Sequence, residues 1–113
     1  MVERRTRRSE DPLVALHYKL AKTRQDRGLE AIVVADADGL VIAGAGAWPL
    51  CEEVAAYAPM LGESDRNELP ARLAGRVSVR RADDLWVCLV GETTSEDPEL
   101  DASSHAVTRI LAA

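Results

Sequence analysis

The sequence predicts an α/β domain of three layers: an antiparallel sheet with helices on both faces. Three observations carry this. Residues 29–35 and 40–45 are short apolar runs rich in Val and Ile, joined by the acidic turn Asp36-Ala37-Asp38-Gly39, which is a hairpin signature. Neither run alternates apolar with polar residues, and nor does Leu85-Trp86-Val87-Cys88-Leu89-Val90. A strand that is apolar on both sides needs both faces of its sheet covered. Three helical patterns, with prolines near their starts at Pro12, Pro49 and Pro98, can supply that cover.

The elements follow in order. Residues 12–27 form a helix: Asp11 is suited to the N-cap, and Pro12 to the first helical position, where a missing N–H costs nothing. Leu13, Leu16 and Leu20 recur at i, i+3 and i+7, with Ala21 extending the stripe, and Gly28 stops the helix. The hairpin comes next. A second helix starts at Pro49 and presents Leu50, Cys51, Val54, Ala55, Ala58 and Leu61 as a broad apolar face, which Pro59 should kink or end. Residues 62–75 carry Gly62, Pro70 and Gly75; Leu69 and Leu73 fit either a short edge strand or a helical turn.

From Arg76 to Arg81 the sequence alternates, as in a strand with one buried and one wet face. Asp83-Asp84 makes the turn into the continuously apolar run 85–90. Asp97 caps and Pro98 opens a last helix, with Leu100, Val107, Ile110 and Leu111 inward. Glu96, Asp97, Glu99 and Asp101 crowd its start, where negative charge suits the helix dipole.

Bulk properties bound the function. A chain of 113 residues is one domain. Phe is absent, so the core must be aliphatic, with Trp48 and Trp86. Twelve of the fourteen basic residues are Arg, which reads as genomic bias. The net charge of −5 is uneven: residues 1–28 carry eight basic and four acidic side chains, and residues 29–113 carry six and fifteen. An acidic body repels phosphates, which argues against nucleic acid as the partner. Residues 1–9 read as a disordered basic tail and 10–113 as the domain; Arg4, Arg5, Arg7 and Arg8 suit an anionic partner or lipid headgroups. No run reaches the ~20 apolar residues of a membrane span, and no hydrophobic segment follows the basic start as in a secretory signal, so a cytoplasmic location is expected. Cys51 and Cys88 read as buried thiols.

Candidate chemistry is sparse. His17 has no carboxylate or Cys at i±3 or i±4 and His105 has only Asp101 at i−4, which makes no ligand cluster, so neither metal binding nor catalysis is indicated. Gly44-Ala45-Gly46 lies between a strand and a helix, where a phosphate-cradling turn would sit, but the third Gly of a dinucleotide fingerprint and the Lys-Ser/Thr of a P-loop are missing. Asp36 and Asp38 read as turn formers. Arg76, Arg80 and Arg81 read as charges protecting an edge strand or as a partner surface. Trp48 is either a helix-entry staple or an interface anchor. No nucleophile, acid/base pair or metal cluster emerges, which favours a binding or scaffolding module.

The run Gly28-Leu29-Glu30-Ala31-Ile32-Val33-Val34-Ala35-Asp36-Ala37-Asp38-Gly39-Leu40-Val41-Ile42-Ala43 resembles the opening hairpin of the roadblock/LC7 family, small modules of the dynein light chain type that regulate Ras-like GTPases. The alanine-rich helix Glu52 to Leu61 and the strand pair Val77 to Val90 fall where that family has its second helix and last strands. The overlap spans about residues 12–112. The resemblance implies a profilin-like sandwich with about five strands, the first and last helices on one face and the middle helix on the other. Runs 29–35 and 85–90 would then be neighbouring central strands, with 76–81 outside the second. It implies a non-catalytic regulator, without cofactor, metal or nucleic acid, that homodimerises and binds a small Ras-like GTPase. Partner or dimer contacts would fall on the 47–61 helix at Trp48, Leu50, Cys51, Val54, Ala55, Ala58 and Leu61, then on Arg76, Arg80 and Arg81. Two features depart from the family pattern: Pro59 lies in the second helix, and Pro70 interrupts the strand expected before Val77. The hairpin pattern also occurs in GAF domains. The alternative is thus a reduced GAF-like sensor holding a small ligand near Trp48, Trp86 and Gly44-Ala45-Gly46, marked by an apolar cavity of roughly 300 Å³ or more.

Overall fold

A computed structural model describes residues 11–63, 69–94 and 96–112. The tail reading of residues 1–9 lies outside them. Helix α1 (Pro12–Arg27) begins as its sequence dictates: the Asp11 carboxylate accepts from the Val14 N–H at 3.3 Å, and Pro12 sits in the first turn. It ends at Gly28, whose φ of +65° turns the chain so that the Leu29 N–H donates back to the Arg24 carbonyl at 3.0 Å.

Strands β1 (Ala31–Ala35) and β2 (Val41–Ala45) form the hairpin. Asp36 organises its turn, its Oδ1 accepting from the N–H groups of Asp38 and Leu40 at 2.9 and 3.0 Å. The Asp36 side chain thus forms the turn, as the sequence reading expects of it. Helix α2 (Trp48–Glu63) follows, then β3 (Val77–Ala82), β4 (Leu85–Val90) and α3 (Pro98–Ala112). The sheet is antiparallel in the order β2-β1-β4-β3, which makes the two fully apolar strands the central pair.

The period-2 alternation of β1 and β4 divides the core in two. Ile32, Val34, Val87 and Leu89 meet Leu16 and Leu20 of α1 and Leu100 and Val107 of α3. Ala31, Val33, Ala35, Cys88 and Val90 meet Cys51, Val54, Ala55 and Ala58 of α2. The first and last helices therefore share one face, and the middle helix takes the other.

Four details depart from the expectations. The described residues contain four strands rather than five. The lost strand is replaced in part by helical turns: Leu73 and Ala74 donate to the Pro70 carbonyl, and Leu73 is buried under α2. Pro70 fixes φ and has no N–H, which suits the first turn of a helix and not a paired strand. Helix α2 does not end at Pro59 but continues to Glu63. The ring removes only the bond to the Ala55 carbonyl, and burial of Val54, Ala55 and Ala58 offsets that loss. The face of β3 expected to be wet is covered, since Ser78 is buried and Arg80 meets Asp101 of α3. Finally, Leu13 and Ala21 point outward from α1, and only Leu16 and Leu20 of the predicted stripe are buried.

Candidate functional site

Helix α2 is amphipathic in an unusual sense, being apolar on two sides. Its inner side is the core of the chain itself. Cys51, Val54, Ala55 and Ala58, read from the sequence as partner contacts, have no exposed surface because they close the sheet. Leu50 is half-buried against the same cluster, and Leu61 is also half-buried. Of the outer side, the sequence reading named Trp48 and missed Ala56 and Met60. Trp48 and Met60 are each 50% exposed and stand, with Glu52 and Ala56, at i, i+4, i+8 and i+12, a row that winds slowly round the helix.

The hairpin turn extends this surface. A Cβ on Gly39 would lie 3.2 Å from the Ala56 Cα, so the turn rests on α2, and the next residue, Leu40, is 63% exposed. Trp48, Ala56, Met60 and Leu40 thus build the outer face of this layer. Met60 could have been suspected, but residues four apart carry no label for core or surface. That assignment required knowing which side met the sheet.

The three arginines read as a stripe are separated. Arg81 crosses the Trp86 ring at 5.7 Å on the α2 side and donates to the Asp83 carbonyl. Arg80 lies on the α3 side with Asp101. Arg76 stands beyond the start of β3, paired with Glu30 at 3.0 Å. Each has an intrachain partner, so the edge-protecting reading suits them better than a shared docking patch.

The opposite end of the sheet holds a polar knot invisible in the sequence. Arg27, the last residue of α1, donates through both Nη groups to the Asp97 carboxylate, at 2.9 and 2.7 Å. Asp97 is only 7% exposed. It also accepts from the Glu99 N–H at 2.9 Å and from the Thr93 hydroxyl at 3.0 Å, and so caps α3. The Arg27 guanidinium, followed by these two donors, holds the Asp97 carboxyl at about 2, below its ordinary 3.8, against the opposing effect of burial. An open cleft of about 760 Å³ adjoins the knot, lined in part by Arg27, Arg76, Glu92, Thr93 and Asp97. Within it Arg27 is already committed to Asp97, which marks the knot as a structural clamp between α1 and α3.

The GAF-like alternative fares poorly. Trp86 is buried in the α2-side core, and Trp48 stands at the surface on the first turn of α2. The glycines in and just after β2 are filled positions: a Cβ on Gly44 would meet the Cys51 Sγ at 3.3 Å, and one on Gly46 the Glu30 carbonyl oxygen at 2.8 Å. They exist for close packing rather than to cradle a ligand. His17 approaches the Gly44 carbonyl at 3.3 Å, His105 is exposed, and no group of three or more metal-ligating residues occurs among the described residues. No helix among them is long and apolar enough to cross a membrane.

Both thiols are free and buried. Burial pushes the Cys88 thiol up to about 12 and raises that of Cys51. Neither should react with a disulfide reagent in the folded chain at neutral pH, and both should react on unfolding. Rapid titration of a thiol in native buffer would contradict this placement.

Helices on both faces of an antiparallel sheet in the order β2-β1-β4-β3 can be set beside known structures. The fold is similar to that of Myxococcus xanthus MglB. The two match with a TM-score of 0.56 over 88% of this chain and 90% of that one, at 14% identity. MglB has the roadblock fold, so the likeness supports the architecture implied by the hairpin. No protein-family model matches the chain, and no curated protein matches it.

Proposed function

We propose that this chain is a non-catalytic regulatory or scaffolding module of roadblock type, which homodimerises and binds a small Ras-like GTPase in the cytoplasm. The observation that carries the reading is the outer face of α2. Trp48, Ala56 and Met60, with Leu40 on the adjoining turn and Glu52 as the charged member of the row, form a largely apolar surface on a helix whose other side is already spent on the core. Exposed apolar surface of this kind, anchored by a Trp, suits a protein interface. The shared fold and the hairpin's resemblance to the roadblock family supply the class of partner. The chain would act by positioning groups of the GTPase itself.

The test is retention of a Ras-like GTPase, identified by mass spectrometry, on the immobilised chain with a non-hydrolysable GTP analogue or GDP. Nucleotide-dependent retention is expected. In the purified pair, Trp48→Ala should weaken binding by about tenfold or more, the range of an interface anchor, without lowering the melting temperature. Absence of any GTPase under both nucleotides would overturn the partner assignment.

A further inference from the structure

The two edges of the sheet differ. On β3, Arg80 and Arg81 have intrachain partners, which suits an edge kept from pairing. On β2, neither a charged residue nor a proline occurs from Leu40 to Ala47. Among the described residues β2 pairs only with β1. The register fixes which of its main-chain groups are free. The Gly91 N–H donates to the Arg76 carbonyl at 2.8 Å, and the alternation of an antiparallel ladder carries that phase across the sheet. Ser78 and Arg80 therefore bond to Leu89 and Val87, Val33 to Cys88, and Ile32 and Val34 to Ala45 and Ala43. The Asp36 N–H, donating to the Leu40 carbonyl at 3.0 Å, keeps the same phase. Gly44, between Ala43 and Ala45, thus turns its N–H and C=O away from β1. The shift in register falls between Val34 and Ala35 and leaves this stretch regular.

A groove lies beside this edge. Leu16 and Leu20 of α1 point into the core, while Val14, His17, Tyr18 and Ala21, at i, i+3, i+4 and i+7, line a shallow outer groove of about 300 Å³. Val14 is 43% exposed and Tyr18 74%. His17 joins the groove to the strand, its Nδ1 lying 3.3 Å from the outward Gly44 oxygen. Free main-chain groups and an apolar groove, two independent features, therefore meet along one line.

We propose that the free edge of β2 and the α1 groove beside it together receive an extended, uncharged segment of another protein as an added strand. Main-chain bonds to Gly44 would supply affinity, and alternate side chains of the segment would enter the groove. A strand N–H would replace His17 at the Gly44 carbonyl, where the present contact of 3.3 Å is long for a hydrogen bond. Chemistry selects this occupant. The Gly44 N–H and C=O call for a backbone with groups still to pair. A helix has spent its own along its length, and a lipid tail has none. The uncharged stretch from Leu40 to Ala47 offers a charged side chain of the guest no counter-ion, so a charged segment would lose hydration without return. Trp48, Ala56 and Met60 take no part, which sets this site apart from the proposed GTPase or dimer surface.

A displayed library of random heptapeptides, selected on the immobilised full chain, is the probe. Selected sequences should lack charged residues and carry apolar side chains at alternate positions. N-methylating one alternate set of amides in a selected peptide should weaken binding about tenfold or more, and the other set much less, because only one set faces β2. Saturating peptide should slow exchange of the Gly44 N–H about tenfold or more and leave Ala43 and Ala45, already bonded to β1, unchanged. Val14→Glu should cut binding severalfold and shift the melting temperature by only a few degrees, because that side chain is exposed. Enrichment of no sequence, binding indifferent to both N-methylated sets, or protection that spares Gly44 would overturn the proposal. Protection of Gly44 in the free chain that fades on dilution would give the edge to a second copy and also overturn it. No GTPase enters these assays, so their failure is distinct from failure of the proposed function.

Discussion

Replacing Arg27 by Met should lower the stability of the fold by about 2–3 kcal/mol and its melting temperature by on the order of 10 °C. The substitution keeps the length of the side chain and removes both bonds to Asp97. It leaves a nearly buried carboxylate with only the Glu99 N–H and the Thr93 hydroxyl as partners. The cost falls short of that of a fully buried pair because a third of the Arg27 side chain faces water. Adding Asp97→Asn to the Arg27 variant should recover about 1 kcal/mol, since the stranded charge disappears. Recovery of nothing would contradict the clamp.

The same pair sets a pH dependence. Asp97 titrates at about 2 in the folded chain and near its ordinary 3.8 when unfolded. Between those values the unfolded state binds the extra proton, so stability rises with pH. The contribution, about 1–2 kcal/mol after allowing for the exposure of Arg27, is complete above roughly pH 5 and lost as pH falls through 4 towards 2. Urea melts of the original chain and the Arg27→Met variant should converge in that window. Parallel curves down to pH 2 would remove Asp97 from the account.

The second large effect is expected at Gly46. Its φ is +122°, a backbone conformation L residues rarely adopt, and an added Cβ would lie 2.8 Å from the Glu30 oxygen and 2.9 Å from the Ala31 Cβ. Those atoms belong to β1 and the residue before it, and they cannot yield without moving a central strand. Gly46→Ala should therefore cost about 2–4 kcal/mol. Gly28→Ala is the comparison: at φ +65° with nothing within 4 Å of the new Cβ, it should cost only about 1–2 kcal/mol, from conformation alone. Equal losses would show that backbone strain, not contact with β1, governs Gly46.

These two sites show where sequence reasoning reaches and where it stops. The caps at Asp11 and Asp97, the Asp36 turn and the central strands were legible because each is written within a few consecutive residues. The clamp was not, because Arg27 and Asp97 stand seventy residues apart. An Arg late in one helix and an Asp before another are each fully explained by helix dipoles. Gly46 could be placed between a strand and a helix, but the neighbour that requires it, Glu30, could be named only once β1 and β2 were in register. The fifth strand failed for a local reason, the turn-forming chemistry of Pro70 with Leu73 as its anchor.

The candidate interface was legible by element and not by residue. Periodicity in α2 marks Cys51, Val54, Ala55 and Ala58 as buried, without saying against what. The sheet of the same chain takes them. What remains outside is the sparser series Trp48, Ala56 and Met60, which no single-faced helix pattern would single out.

The most direct test of this account is the mass of the purified chain in solution, measured by light scattering across a concentration series with Met60→Glu alongside. About twice 12.3 kDa is expected for the original chain, and a single chain for a variant that places a charge on the outer face of α2 without touching the core. A monomer at every concentration, or a dimer indifferent to Met60→Glu, would contradict the claim that this face is where the protein meets its partners.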